Sequence, residues 1–360
     1  MMKPDDRSNE FSISPHYTTR ELIPENQETP IHFLRHWITP EDFLFLRNHF
    51  PYPSLKEEAF LLPIDGEVKQ PKIFRYGDLL HMPSRTVTAV LECSGNKRAY
   101  FCPQVYGVQW EDGALCQAIW KGVSLSYLLS LTEIADTAVE VVFEGYDAGK
   151  RTDIDGVFHY ARSLPISKAI CPDTLIAYEL NGKILPYKHG YPLRLIVPQW
   201  YGMAWVKWLK RITVINHHFT GPFQEIDYNY YPCKENDLGK RPVTTINVNS
   251  IIQYPLDLSE MNTGTHYIEG LAWTGEGIVS KVEISTDYGQ TWHKASLNQD
   301  LSQPYSWVGW TYVWMVGQKG EYTIFSRATD TCGRTQPFEP EWNRKGYGYN
   351  GIASVRVKIE

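Results

Sequence analysis

The rhythm of apolar and polar positions divides the chain into three stretches. Residues 1–30 are polar and broken by Pro4, Pro15, Pro24 and Pro30, which predicts an N-terminal arm that wraps its own domain or a partner. Thr39-Pro40-Glu41-Asp42 has the cap, the proline and the acidic first turn of a helix start. A short helix is expected to run into Phe43–Phe50 and to stop at Pro51 and Pro53. From Val87 to Val197 strands and short helices alternate. Val87–Leu91 reads as a strand, and Ala118–Leu129 as a strand, a turn at Gly122 and a helix. Val139–Phe143 is apolar apart from Glu140 and predicts a largely buried strand. Ile176–Leu185 is a hairpin about Asn181-Gly182, and Leu193–Val197 is a further strand. The run Trp205–Ile212 fits strand or helix equally.

Lys234–Arg241 is charged and rich in turn formers, so it reads as a linker between a domain over 31–235 and another over 243–360. Beyond it short strands recur: His266–Trp273, Lys281–Ser285, Thr291–Ala295, Tyr305–Trp314, Tyr322–Ala328 and Ser354–Ile359. Val282 and Ile284 alternate with Lys281, Glu283 and Ser285, the mark of a half-buried strand, and Asp287-Tyr288-Gly289 predicts a hairpin turn. Six short strands in ~120 residues imply a β-sandwich, immunoglobulin-like in size.

Composition narrows the function. The chain has 360 residues, 42 % of them hydrophobic and 14 % aromatic, which suits two globular cores. A net charge of −6 excludes a general nucleic-acid binder and confines any anion site to a local cationic pocket. The six cysteines, at 93, 102, 116, 171, 233 and 332, form no CxxC pair and no disulfide framework, which points to a reducing compartment. No apolar run reaches membrane-spanning length, and the first residues carry no signal-peptide core. A cytoplasmic protein with no membrane span is expected.

One stretch carries unusual chemistry. In Leu91-Glu92-Cys93-Ser94-Gly95-Asn96-Lys97-Arg98 a cysteine ends a predicted strand, small residues follow it, and two cations close the turn. A thiolate is a soft metal ligand or a nucleophile, and Lys97 and Arg98 are expected to lower its pKa and hold an anion nearby. A cysteine at such a place also suits a buried core position.

The pattern Cys, small, Gly, Asn, basic, Arg resembles the molybdenum-ligand segment of the sulfite oxidase family, which includes the molybdenum domain of eukaryotic-type nitrate reductase. Cys93, Gly95, Asn96 and Arg98 fit it. Arg47-Asn48-His49, 46 residues before Cys93, resembles the family's Arg-Asn-His segment. Gly270-Leu271-Ala272-Trp273-Thr274-Gly275 and Ser285-Thr286-Asp287-Tyr288-Gly289-Gln290-Thr291-Trp292 resemble segments of its dimerisation domain, with Tyr288 in place of a glycine. The resemblance runs from Phe45 to the C-terminus. It implies an α+β protein, with a mixed α/β molybdopterin domain followed by the β-sandwich, that forms a homodimer. It also implies a molybdenum–molybdopterin cofactor with Cys93 as the metal ligand, sulfite as substrate and an external electron acceptor.

Residue by residue, the resemblance places Asn48, His49, Asp147, His189, Arg194, Trp205, Val206 and Lys207 at the cofactor. Arg47, Arg98, Trp110 and Tyr228 fall in the substrate pocket, with Arg47 also touching the cofactor. The His-Gly-x-Pro-x-Arg spacing of His189 to Arg194 is fully kept. A planar guanidinium that stays charged suits a small oxyanion. At the family's third arginine this chain reads Trp342-Asn343-Arg344-Lys345-Gly346, so Lys345 occupies the slot. Nitrate reductases also lack that arginine, which keeps a nitrate reductase-like enzyme as an alternative. A non-catalytic binding module is the other. Gly346-Tyr347-Gly348-Tyr349-Asn350-Gly351 satisfies GxGxxG but precedes a strand and opens no helix, so it reads as loop. His217-His218 reads as structural.

Overall fold

The computed structural model describes residues 16–360. Residues 1–15 of the expected arm lie outside the described residues. Within the remainder, Thr18–Glu21 pairs antiparallel with Asn26–Glu28. Gln27 and Leu46 then exchange two backbone hydrogen bonds of 2.9 Å. This pairing decides the local structure of Phe43–Phe50. The helix expected there is replaced by a single 3-10 turn, Glu41–Phe43, with no side-chain cap. The Thr39 hydroxyl instead accepts from the Gln117 amide at 3.1 Å. Because Gln27 satisfies the Leu46 amide and carbonyl, the following Arg47-Asn48-His49 does not continue as helix.

Helix is scarcer than the mixed α/β expectation. Among the described residues, α-helix is confined to Tyr76–Leu79, Leu125–Thr132 and Ile166–Ala169. Two five-stranded sheets dominate the first region. One runs in the order Lys183–Ile184, Leu175–Leu180, Leu115–Ser124, Ser84–Glu92, with Arg194–Ile196 also paired to Leu175–Leu180. The other runs Lys72–Arg75, Leu61–Gly66, Leu209–Ile215, Glu140–Lys150, Val157–Pro165. The Asn181-Gly182 hairpin forms as expected, with both residues at positive φ, 50° and 77°. Trp205–Ile212 resolves into irregular backbone over 205–208, after the 3-10 turn Gly202–Ala204, and the start of the strand Leu209–Ile215.

Two expectations fail for identifiable reasons. Gly122 makes no turn; it lies inside the strand Leu115–Ser124. A Cβ there would stand 2.1 Å from the Ile176 carbonyl oxygen, so the glycine serves close strand approach. The strand Glu140–Lys150 is buried on one face only, with Val141, Phe143, Gly145 and Asp147 turned inward.

After the exposed stretch 234–241, two further sheets form. One orders Asn249–Tyr254, Gly264–Trp273, Val308–Val316, Ser296–Asn298. The other orders Ser259–Met261, Ala353–Ile359, Gly320–Asp330, Val279–Ser285, His293–Lys294. Ile268, Trp310 and Trp314 from the first sheet share a core with Ile284, Ile324 and Val357 from the second. Asn249–Tyr254 escaped the sequence reading because Asn249, Ser250 and Gln253 are polar yet buried, which hides the strand rhythm. Trp273, Trp307 and Tyr347 of this region join the core of the first one. Among the described residues no helix is long and apolar enough to cross a membrane.

Candidate active site

The turn that follows the strand Ser84–Glu92 sets Cys93 at the end of one sheet. Its amide donates to the Ala114 carbonyl at 2.9 Å, and Asn96 and Arg98 close successive turns onto Cys93 and Gly95. The Asn96 side chain bridges Glu92 and the Ala114 amide, each at 3.1 Å. Gly95 is required by close approach: a Cβ would lie 2.7 Å from the Arg98 guanidinium.

Cys93 opens onto a narrow cavity of ≈ 60 Å³ between the two sheets of the first region. Arg47, Asn48 and His49 enter it from the segment pinned by Gln27. Asp147 comes from Glu140–Lys150, and Lys207 from the residues before Leu209–Ile215. His189, Arg194, Trp205 and Tyr228 complete the polar and aromatic wall. Phe45, Leu46, Leu91 and Met203 supply its apolar part.

Four residues placed at the site by resemblance lie off the cavity wall. Arg98 spends its guanidinium on the carbonyls of Lys345, Gly346 and Val108, at 3.1, 3.2 and 3.0 Å. It also lies 5.1 Å from the Tyr347 ring centroid, and Tyr347 stacks on Tyr228 at 5.3 Å. Trp110 is fully buried in the core, edge-on to Phe45. Val206 is buried and offers its carbonyl to the Leu195 amide. Lys345 is partly exposed and faces Asp227 at 3.8 Å.

Lys97 also departs from expectation. Its ammonium turns away from the sulfur and donates to Asn249 Oδ1 at 2.8 Å and the Ser250 carbonyl at 2.9 Å. Burial pushes the Cys93 thiol up. Arg47, the Gly95 amide and Arg98 oppose that shift, and Lys97 is not among the groups that act on it.

Electrostatics divide the cavity into two ends. At one end, burial and then Arg47, Lys207, Arg151 and Arg162 hold His49 well below the usual histidine range, so it is neutral. Burial, and then Tyr160, raises Tyr228 well above the usual phenol range, so it keeps its proton. His49 Nε2 and Tyr228 Oη therefore share a neutral hydrogen bond of 2.6 Å, while the His49 ring stacks on Tyr160 at 4.5 Å. At the other end, burial and then Arg194 and Lys207 keep His189 neutral. Lys207 donates to Asn48 Oδ1 and lies 4.1 Å from the Trp208 ring centroid. Arg194 gives one N–H to the His189 carbonyl at 3.0 Å.

Two buried atoms at this second end, Asp147 Oδ1 and Arg194 Nε, have no hydrogen-bond partner. Buried orphans of this kind are uncommon and point to a polar occupant. A donor set of one soft sulfur, three basic side chains, two histidines and a carboxyl around the cavity fits an anionic, metal-bearing pterin. Among the described residues no three His, Cys, Asp or Glu side chains gather into a metal site of their own.

Arg162 and Tyr160 were missed in the sequence. Their signal is the alternation of Tyr160, Arg162 and Leu164 in Val157–Pro165, which turns all three inward.

Comparison with known proteins agrees with this chemistry. Residues 49–223 match the family described as oxidoreductase molybdopterin binding domain, and residues 240–360 match the Mo-co oxidoreductase dimerisation domain. Mitochondrial sulfite oxidase of Rattus norvegicus is 31 % identical over 376 residues, covering 99 % of this chain and 68 % of that protein. Nitrate reductase [NADH] 1 of Phaseolus vulgaris is 32 % identical over 372 residues, covering 93 % of this chain and 42 % of that protein. The crystal structure of the sulfane dehydrogenase SoxCD from Paracoccus pantotrophus aligns with a TM-score of 0.80 at 27 % identity, over 98 % of this chain and 89 % of that one. The chain spans about two thirds of the length of the animal mitochondrial relatives it matches.

Proposed function

Because this chain belongs to the sulfite oxidase family of molybdenum–molybdopterin oxidoreductases, we propose that it oxidises sulfite to sulfate and passes two electrons to an external acceptor. The observation that supports this reading is the gathering of Cys93, Arg47, His49 and Tyr228 on one cavity wall, with Asp147, His189, Arg194 and Lys207 on the same cavity.

Molybdenum–molybdopterin, when bound, supplies two-electron oxo-transfer chemistry. Cys93 would hold the metal through its sulfur. His189, Arg194 and Lys207 would hold the anionic pterin, with Asn48, Asp147, Trp205 and the backbone of Val206 beside them. Arg47 brings a charged planar fork for the oxygens of the anion. Tyr228 keeps its phenol proton and can donate it as a hydrogen bond. His49, held neutral, fixes the Tyr228 hydroxyl without adding a charge that would trap the dianionic product. Phe45, Leu46, Leu91 and Met203 exclude water, which strengthens every charged contact inside. Arg98 and Trp110 support the pocket from behind in this reading. Lys345 acts, if at all, through its ion pair with Asp227.

Steady-state assays of the purified holoenzyme with sulfite and ferricyanide test the proposal. Turnover of nitrate with reduced viologen in preference to sulfite would overturn it. That second reading is favoured by one observation, the lysine at 345 lying off the cavity.

Residues 243–360 are read as an immunoglobulin-like sandwich that pairs two copies of the chain. The support is the dimerisation-domain match; sedimentation showing a stable monomer would remove it. The cytoplasm is the proposed compartment, on six unbridged cysteines; recovery of the protein in a periplasmic or organellar fraction would refute it.

A further inference from the structure

Arg162 is a buried cation without a counter-charge. Its inward position in Val157–Pro165 leaves it 1 % exposed. The guanidinium lies 5.3 Å from the centroid of the Tyr228 ring, and one Nη donates to the Phe223 carbonyl. Its Nε has no hydrogen-bond partner, and among the described residues no carboxylate comes within ion-pair distance. The neighbouring carboxylate, Asp227, is engaged elsewhere. It pairs with Arg151, which also holds Asp153 at 2.7 Å, and it faces Lys345 at 3.8 Å. His49, Tyr160 and Tyr228, the side chains between Arg162 and the cavity, are all neutral and cannot compensate it. Removing a cation from water without pairing it is unfavourable, and an anion arriving beside it would offset that cost.

We propose that Arg162 is a specificity-determining cation of the anion subsite, and that its counter-charge is a divalent oxyanion held against Tyr228. This rests on the reading of the cavity as an oxyanion site. Arg47 on the wall and Arg162 behind Tyr228 put two positive charges around one phenol, which favours a dianion such as sulfite or sulfate over monovalent nitrate. Lys345, half out in solvent and shared with Asp227, is poorly placed to do the same.

The test compares the holoenzyme with Arg162→Met and Arg162→Lys, using sulfite kinetics and calorimetric titration with inorganic sulfate and inorganic nitrate. Loss of the positive charge behind the Tyr228 ring predicts that Arg162→Met raises the sulfite KM and the sulfate Kd roughly 10- to 100-fold. kcat should stay close to that of the parent, nitrate binding should change far less, and Arg162→Lys should recover most of the sulfate affinity. Arg162→Gln, which keeps a donor for the Phe223 carbonyl, is read in the same way if the Met variant does not fold. Sulfate and sulfite affinities equal to those of the parent in a folded variant would overturn the inference. So would a loss of kcat with no change in KM. A parent enzyme that does not oxidise sulfite would refute the proposed reaction alone, since the sulfate titration still decides the role of Arg162.

Discussion

Lys97 Nζ lies 2.8 Å from Asn249 Oδ1, although 152 positions separate the two residues. Asn249 also accepts from the Ser250 amide and donates to the Tyr349 carbonyl, and Gln336 reaches it at 3.2 Å. The turn that carries Cys93 is therefore anchored to the first strand of the second region. Stripped of this acceptor, the buried ammonium keeps only the Ser250 carbonyl at 2.9 Å and Asp112 at 3.7 Å. Asn249→Leu is expected to cost about 3 kcal/mol in urea unfolding. It should also lower the molybdenum content of purified protein, because the anchored turn holds the proposed ligand. Unchanged unfolding and metal content would show that the turn is held by other means.

Gly122 gives a second, purely steric prediction. A Cβ at this position would meet the Ile176 carbonyl at 2.1 Å inside a paired strand. Gly122→Ala is expected to destabilise by about 3 kcal/mol. A thermal melt matching that of the parent would contradict the close approach.

Asp147 gives a pH prediction for the cofactor-free protein. Burial pushes its carboxyl up to about 7 against the opposing pull of Lys207. The folded-state value lies above the unfolded one, so its contribution to stability is complete below the unfolded pKa of 3.8 and is lost as the pH rises through 7. Burial shifts Lys207 downward, so its contribution is complete at high pH and lost as the pH falls through the lowered value. Asp147→Asn removes the first dependence and deepens the second. The gain of the variant relative to the parent should therefore grow between about pH 4 and pH 7, as read by thermal melts across that range. A constant difference would mean that Asp147 is already ionised in the fold.

Most of the residues that share this cavity are assigned in the sequence through a family resemblance carried by short motifs. Cys93 followed by small residues and the His189–Arg194 spacing are legible as family motifs, whereas the Asn181-Gly182 turn encodes its geometry within two positions. What could not be read depends on partners distant in sequence. Thr39 looks like a helix cap, yet its hydroxyl serves Gln117 and the helix gives way to pairing with Gln27. Lys97 looks like a neighbour of the sulfur, but its chain is long enough to reach another sheet. Arg162 sits in an ordinary strand alternation, and only the third dimension shows that no carboxylate faces it. Asn249–Tyr254 was missed because its buried polar residues find partners distant in sequence: Ser250 meets Ser326 and Gln336, Gln253 the Leu34 carbonyl, and Asn249 both Lys97 and the Tyr349 carbonyl.

Cys93 is the residue on which the whole account turns. Replacing it with serine substitutes a hard oxygen for a soft sulfur while keeping size and burial, so the fold should survive and sulfite turnover should be lost. The most direct test is molybdenum K-edge X-ray absorption on parent and Cys93→Ser holoprotein, prepared at equal metal loading. The prediction is that the variant loses one sulfur scatterer from the metal shell. An unchanged sulfur count, or a parent protein that takes up no molybdenum in a cofactor-competent host, would contradict it.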